Sequence, residues 1–403
     1  VHDAFSLRIR HVGCGFRTSD RRGEMRAGPR RQSSYHHSMR TWSLLACLAL
    51  LLGCSSSPVA TDASTNDAGP QDDAGYDSGW PDTGAHDAAL PPAPVYDATH
   101  TFPSFDLMPG AERLSDCQSW TLNNADPIYV SSVTMDAGPG WHHSNWMWVP
   151  DTMFAGDDGT FPCDARMFNE LTAALMGGGV FFAQSTQATH EVQSFEPGAA
   201  FEIPPHARII GTTHIFNLTA APITTAMTFT IHGVASTDVT TLLHGMALDN
   251  RGISIGPHTT TQTDMTCNLA AVSHGGIDMR IHYVLPHYHG LATGFQLFAV
   301  GGAHDGELVY GTASGIGDPL GGRLDPPFDL TAATGLRLVC TYQNPGTDTV
   351  TFGPYRTDEM CMMLAFVDGR YTWGAQATTI GSTTTQPDGT VVETSGACAA
   401  IAH

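Results

Sequence analysis

Beyond about residue 98 the chain is a succession of short β-branched and aromatic runs separated by turn-forming residues. Arg208 to Phe216 (RIIGTTHIF), Ala226 to His232 (AMTFTIH) and Gly335 to Tyr342 (GLRLVCTY) are examples. Runs of this kind, with Thr, Gly and Pro recurring between them, are strand signals. Only Ala165 to Met176 has the look of a helix. The expectation is therefore an all-β protein of sandwich or barrel architecture. A boundary near residues 235 to 242 would give two sandwiches of similar size, 98–238 and 239–403, and the length suits either one large domain or two medium ones. Periodicity alone does not choose a sandwich topology.

The residues before this region have a different character. Met39-Arg40 followed by the apolar run Trp42 to Leu52 and by Gly53-Cys54 has the pattern of a lipoprotein signal peptide (39–54), too short to span a bilayer, with Cys54 as the lipidated residue. Residues 1–38 are rich in Arg and lack apolar periodicity, which suggests an upstream extension with Met39 as the initiator. A buried apolar helix with an accidental Cys is the competing reading, and Ser55 to Ser57 with the low-complexity stretch that follows oppose it. The Asp-, Ala-, Gly-, Ser- and Pro-rich segment 55–97 cannot bury a core and reads as a solvated tether. An exported protein, lipid-anchored at a bacterial cell envelope and touching the membrane only through Cys54, is the expectation.

Charge divides the chain at the same place. No Lys occurs, and nine of the 18 Arg lie in the first 40 residues. After Cys54, nine Arg face 36 acidic residues, a net of -27. That surface repels nucleic acid and offers no polybasic anchor for anionic lipid. Six cysteines follow the tether, at 117, 163, 267, 340, 361 and 398, with no Cys-x-x-Cys pair. In an oxidising compartment an even count suggests three disulfides, and spacing does not select the pairing.

Twenty histidines make imidazole the informative side chain. In Pro286-His287-Tyr288-His289-Gly290 the two rings are separated by one residue, so on a strand they share a face and can converge on a metal while Tyr288 points away. In Trp141-His142-His143-Ser144 they are adjacent, and only a strand end or bulge turns both to one side. The third motif, Thr357 to Met363 (TDEMCMM), places thioethers beside Cys361, one of the cysteines expected in a disulfide. A Met cluster alone is ordinary core material. With two imidazoles, however, a soft thioether describes a redox copper better than zinc. Asp358 and Glu359 are read as solvated, and His282 as structural because its strand parity is opposite to that of His287. His206, His232, His244 and His258 lack metal-like spacing.

In order, His142-His143, His214 in GTTHIFN, HYHGL and DEMC resemble the copper type II, ascorbate-dependent monooxygenases, the family of peptidylglycine α-hydroxylating and dopamine β-monooxygenases. The resemblance covers most of 100–400. It implies two jelly-roll β-sandwich domains, each holding one copper, facing each other across a solvent-filled cleft. It implies an electron-transfer copper on His142, His143 and His214, and a catalytic copper on His287, His289 and Met360, with O2 and a small-molecule substrate reacting there and ascorbate or a similar donor as reductant. It also implies disulfides Cys117–Cys163, Cys340–Cys361 and Cys267–Cys398, the second pinning Met360 through its neighbour.

The chain departs from the family where substrate is held. Leu285, Met362 and Leu364 stand where peptide-amidating members carry Arg, Asn and Tyr. Apolar side chains leave a substrate carboxylate unpaired. The expected activity is hydroxylation of a C–H bond in a neutral or aromatic small molecule. The alternatives are a non-catalytic copper-binding or copper-storage lipoprotein and a surface adhesin with incidental histidines. Oligomeric state is left open.

Overall fold

In the computed structural model the described residues are 95–403, apart from 176, 274, 275 and 314. The expected extension, signal peptide, Cys54 anchor and nearly all of the tether lie outside them. Among the described residues no helix is long and apolar enough to cross a membrane.

The strands form because each presents one apolar face. Met227–Val234 buries Met227, Phe229 and Ile231 and turns Thr228, Thr230 and His232 outward. It pairs with Asp97–Thr101 and Ile128–Ala137, and the latter with His190–Ser194 and Ala199–Ile203. A second sheet orders Gly159–Pro162, Glu112–Thr121, Ala207–Phe216, Trp141–Pro150 and Gly179–Ala183. Between the two sheets lie Trp146, Phe181 and Phe229, with ring centroids 5.0 Å (Trp146–Phe229) and 5.3 Å (Phe181–Phe229) apart. Full burial of such side chains stabilises by about 1.5–3 kcal/mol each.

A second sandwich follows. Thr241–Asn250, Met362–Val367, Arg280–His287 and Gly322–Asp329 form one sheet, extended by Trp373–Ala377 and Cys398–Ala402. The facing sheet orders Leu308–Thr312, Ala292–Val300, Gly335–Asn344, Thr259–Asn268, Val391–Ser395 and Ile380–Thr385. Met246, Leu248, Met265, Phe295, Leu338 and Val367 fill the space between them. The all-β sandwich architecture is thus the one expected. The helix is shorter than expected, Glu170–Leu175. Cys163–Arg166 is a 3-10 turn that ends on Met167 in the left-handed region (φ 54°), and Asn169 restarts the chain by accepting from the Thr172 N–H at 3.0 Å.

The two halves are sewn together. Ala199–Ile203 runs parallel to the start of Thr241–Asn250, which merges one sheet from each half into a continuous eleven-stranded sheet. Arg280–His287 is buried on both faces after its first residue. Tyr283 and Leu285 from this strand, with Phe366 from its neighbour, enter the N-terminal core. There Phe366 stacks on Phe201 at 5.3 Å and meets Phe195 edge-on at 4.9 Å. Polar sutures reinforce this seam. Ser185 Oγ accepts from the Leu320 N–H (2.8 Å), Thr186 O from the Gly317 N–H (2.9 Å), and the Thr186 hydroxyl donates to Tyr288 O (2.6 Å). His282 sits between Glu196 and Asp368 at a break in the strand's register, so these carboxylates, and not a regular strand's parity, fix its structural place.

All three disulfides implied by the resemblance are present: Cys117–Cys163, Cys267–Cys398 and Cys340–Cys361.

Candidate metal centre

Five of the six proposed ligands come together in one place. His143 pairs with His214 across the strands Trp141–Pro150 and Ala207–Phe216, but the next pair is Trp141 with Ile215, leaving His142 as an extra residue. This is the bulge that an adjacent His pair requires, and it turns both rings to one side. His287 ends its strand, and His289 lies just beyond it, while Tyr288 goes into the C-terminal core. Ring centroids are 4.7 Å apart for His142–His289, 4.9 Å for His143–His287, 4.7 Å for His142–His214 and 5.5 Å for His287–His289. The ligand atoms of His142, His143 and His289 all lie within 4.8 Å of one another. That triad mixes members of the two sets which the resemblance assigned to separate coppers.

The electrostatics are those of uncharged imidazoles. Burial, helped by the neighbouring rings, depresses His142 to about 2 and His287 to about 3, and burial brings His289 to about 4. His143 is held well below its ordinary value for the same reasons. Neutral imidazole is the form that donates a lone pair to a metal. Both ring nitrogens of His142, and Nε2 of His287 and of His289, are buried without a hydrogen-bond partner. An unsatisfied buried polar atom costs about 1–3 kcal/mol, so four of them in one cluster favour an occupant that imidazole nitrogens bind. A transition-metal ion fits that donor set.

The DEMC segment holds the cluster from one side. Glu359, 1% exposed, accepts from the N–H groups of His289 (2.9 Å), Leu291 (2.6 Å) and Met360 (3.3 Å). Burial raises its carboxyl to about 7 in spite of these bonds. The reading of Glu359 as solvated is therefore corrected: its carboxylate organises the His289 turn. Asp358 is half-buried, and its carbonyl accepts from His289 Nδ1 at 2.9 Å, which aims Nε2 at the other rings. Met360 is buried, its carbonyl accepting from the Tyr342 hydroxyl (2.8 Å), and Cys361 ties the segment to Cys340.

Two residues that carried no motif complete the surroundings. Glu112 accepts from His214 Nε2 at 2.9 Å, leaving Nδ1 directed at His143 Nε2, 3.1 Å away. Arg356, from the loop before DEMC, approaches the same carboxylate at 3.7 Å. Their only sequence signal is opposite charge, at a separation no pattern connects.

A second buried carboxyl lies on the seam. Glu191 accepts from the Ser185 N–H and hydroxyl, both at 2.8 Å, and burial raises it from 4.5 to about 7. Below about pH 4.5 it is protonated in the folded and unfolded chains alike. As pH rises to about 7 the unfolded chain loses this proton first, and stability is lost across that window. Glu191→Gln is expected to remove about 2–3 kcal/mol of this pH dependence. Urea unfolding of both proteins at pH 4.5, 6 and 8 checks it; parallel curves would mean that the carboxyl ionises without penalty.

The positions expected to face substrate are occupied by protein. Leu285 is buried and Leu364 packs against the same N-terminal core, the two Cα-paired across adjacent strands. Met362 is paired with His287. The cleft implied between two copper domains is closed by this seam.

No family model matches the chain, and no curated protein matches it. Among solved structures, it is similar to the major capsid protein P2 of bacteriophage PM2, at 10% identity over 68% of this chain and 97% of that one, TM-score 0.28. It is also similar to PBCV-1 VP54, fitted into a reconstruction of the virophage Sputnik, at 8% identity over 68% and 95%, TM-score 0.24. A third is from Sulfolobus Turreted Icosahedral Virus, at 10% identity over 66% and 59%, TM-score 0.18. These overlays are too loose to assign a role. The expectations of a copper monooxygenase, with its substrate hydroxylation, and of a copper-binding or storage lipoprotein are corrected: Leu285 and Leu364, expected to face substrate, pack in or against the N-terminal core, and ligands expected on two separate coppers share one cluster.

Proposed function

We propose that the chain is a structural β-sandwich protein in which one divalent first-row transition-metal ion, held by the imidazole cluster, clasps the N- and C-terminal halves together. The observation that carries this reading is the set of four unpartnered buried ring nitrogens on His142, His287 and His289, contributed by both halves. An imidazole donor set suits zinc as well as copper. His142, His143 and His289 are the nearest ligands, with His214 and His287 within reach of the same ion. Three disulfides support residence in an oxidising compartment, and with it export. The pairing of those cysteines also supports a shared fold origin with the family that the motifs resemble.

Zinc(II) titration of the purified chain, followed by elemental analysis and thermal unfolding, tests the clasp. One ion per chain is expected. At 100 times Kd it should stabilise by about 2.7 kcal/mol, and His142→Ala should abolish the shift. Two ions per chain would instead assign His142, His143 and His214 to one and His287, His289 and Met360 to another, and would overturn the single clasp. So would binding without stabilisation.

A further inference from the structure

The imidazoles of His142, His214, His287 and His289 are buried and that of His143 is half-buried, so an ion reaches the whole set only if something moves. The segment that touches them from outside is Gly353 to Asp358, whose Asp358 carbonyl accepts from His289 Nδ1 (2.9 Å); it is a turn closed on itself by the Asp358 N–H donating to Tyr355 O (2.9 Å) and the Tyr355 N–H donating to Asp358 Oδ2 (3.1 Å). Its base is firm: the Gly353 N–H donates to Glu359 O (3.2 Å), and Cys361 is in a disulfide. Its tip, Tyr355 and Arg356, is exposed. What ties the tip to the opposite half is Arg356 on Glu112, by Nε to Oε2 at 3.7 Å and by its backbone N–H towards Oε1 at 3.5 Å. Glu112 Oε1 is also the acceptor for His214 Nε2.

We propose that Glu112 and Arg356 form a latch across the two halves, which holds the 353–358 turn closed over the imidazoles and keeps His214 Nδ1 facing them. The gating of metal entry rests on the clasp reading above; the latch itself does not. Glu112 is a positioning residue in this arrangement. It settles which nitrogen of His214 is free, and it couples that choice to closure of a loop belonging to the other half. The side chains of Arg356 and Glu112 are 46% and 27% exposed, so salt screens their attraction. Closure is therefore adjustable by ionic strength, whereas the buried imidazoles it covers are not.

The test reads the metal-free protein. Diethyl pyrocarbonate modification, resolved by peptide mass spectrometry, reports how often the imidazoles of His142, His143, His287 and His289 become accessible. An exposed ion pair is worth up to roughly 1 kcal/mol, so Arg356→Ala should speed modification about two- to fivefold at low salt. Glu112→Gln keeps an acceptor for His214 and removes the charge, and should give the same increase. The wild-type rate should rise with salt towards that of the variants, whose rates should stay flat. Equal rates in wild type and Arg356→Ala, or a salt dependence that survives in the variants, would overturn the latch. Altered modification rates in a chain that binds no zinc would leave the latch standing and refute the clasp alone.

Discussion

Replacing Glu359 with alanine is expected to destabilise the protein by about 3–6 kcal/mol. The carboxylate accepts from three backbone N–H groups, on His289, Leu291 and Met360, in a place where water does not compete. Alanine leaves those donors without a partner, at about 1–3 kcal/mol each, less whatever an entering water restores. Glu359→Gln should fall between, because its amide oxygen keeps one side of the arrangement while its NH2 faces an N–H on the other. Urea unfolding of the three proteins at pH 7 measures this directly. A loss below about 1 kcal/mol in the alanine variant would show that the backbone holds the His289 turn unaided. The same variant should lose zinc-induced stabilisation, since His289 Nε2 points at its neighbours only while the turn is held.

How much of this was legible in the sequence depends on how local each signal is. The bulge required by His142-His143 follows from strand geometry and is present, whereas His287 and His289 approach each other across a strand end and not along one strand face. The disulfide pairing followed from the resemblance, not from spacing. Glu359 was misread because an acidic pair in a polar stretch is usually solvated; its burial comes from a disulfide, a turn and a neighbouring strand, all distant in sequence. The seam had a local trace. RIHYVLPH, Arg280 to His287, lacks the alternation of a strand with one wet face, and a near-continuous apolar run belongs to a strand covered on both sides. Read so, Leu285 is core before it is a substrate contact. The merging of the two ligand sets had no such trace, because it depends on how the two halves dock.

Phe366 tests that docking. The ring is buried in the N-terminal core against Phe195 and Phe201, although its strand, Met362–Val367, belongs to the C-terminal sandwich. Phe366→Ala removes a large side chain from a packed interior and is expected to destabilise by about 3–5 kcal/mol. Phe366→Leu keeps much of the volume and should lose less, typically under about 1.5 kcal/mol. Stability is one readout and imidazole accessibility is the other. The strand that carries Phe366 also pairs Met362 with His287, so a loosened seam should expose the histidines to modification before the chain unfolds. If Phe366→Ala loses its stability while the imidazoles stay shielded, the seam and the metal centre are independent, and the clasp joins halves that its own ligand turns already hold. If shielding and stability fall together, bound zinc should recover part of both, because an ion with ligands from each half resists the separation that the missing ring permits.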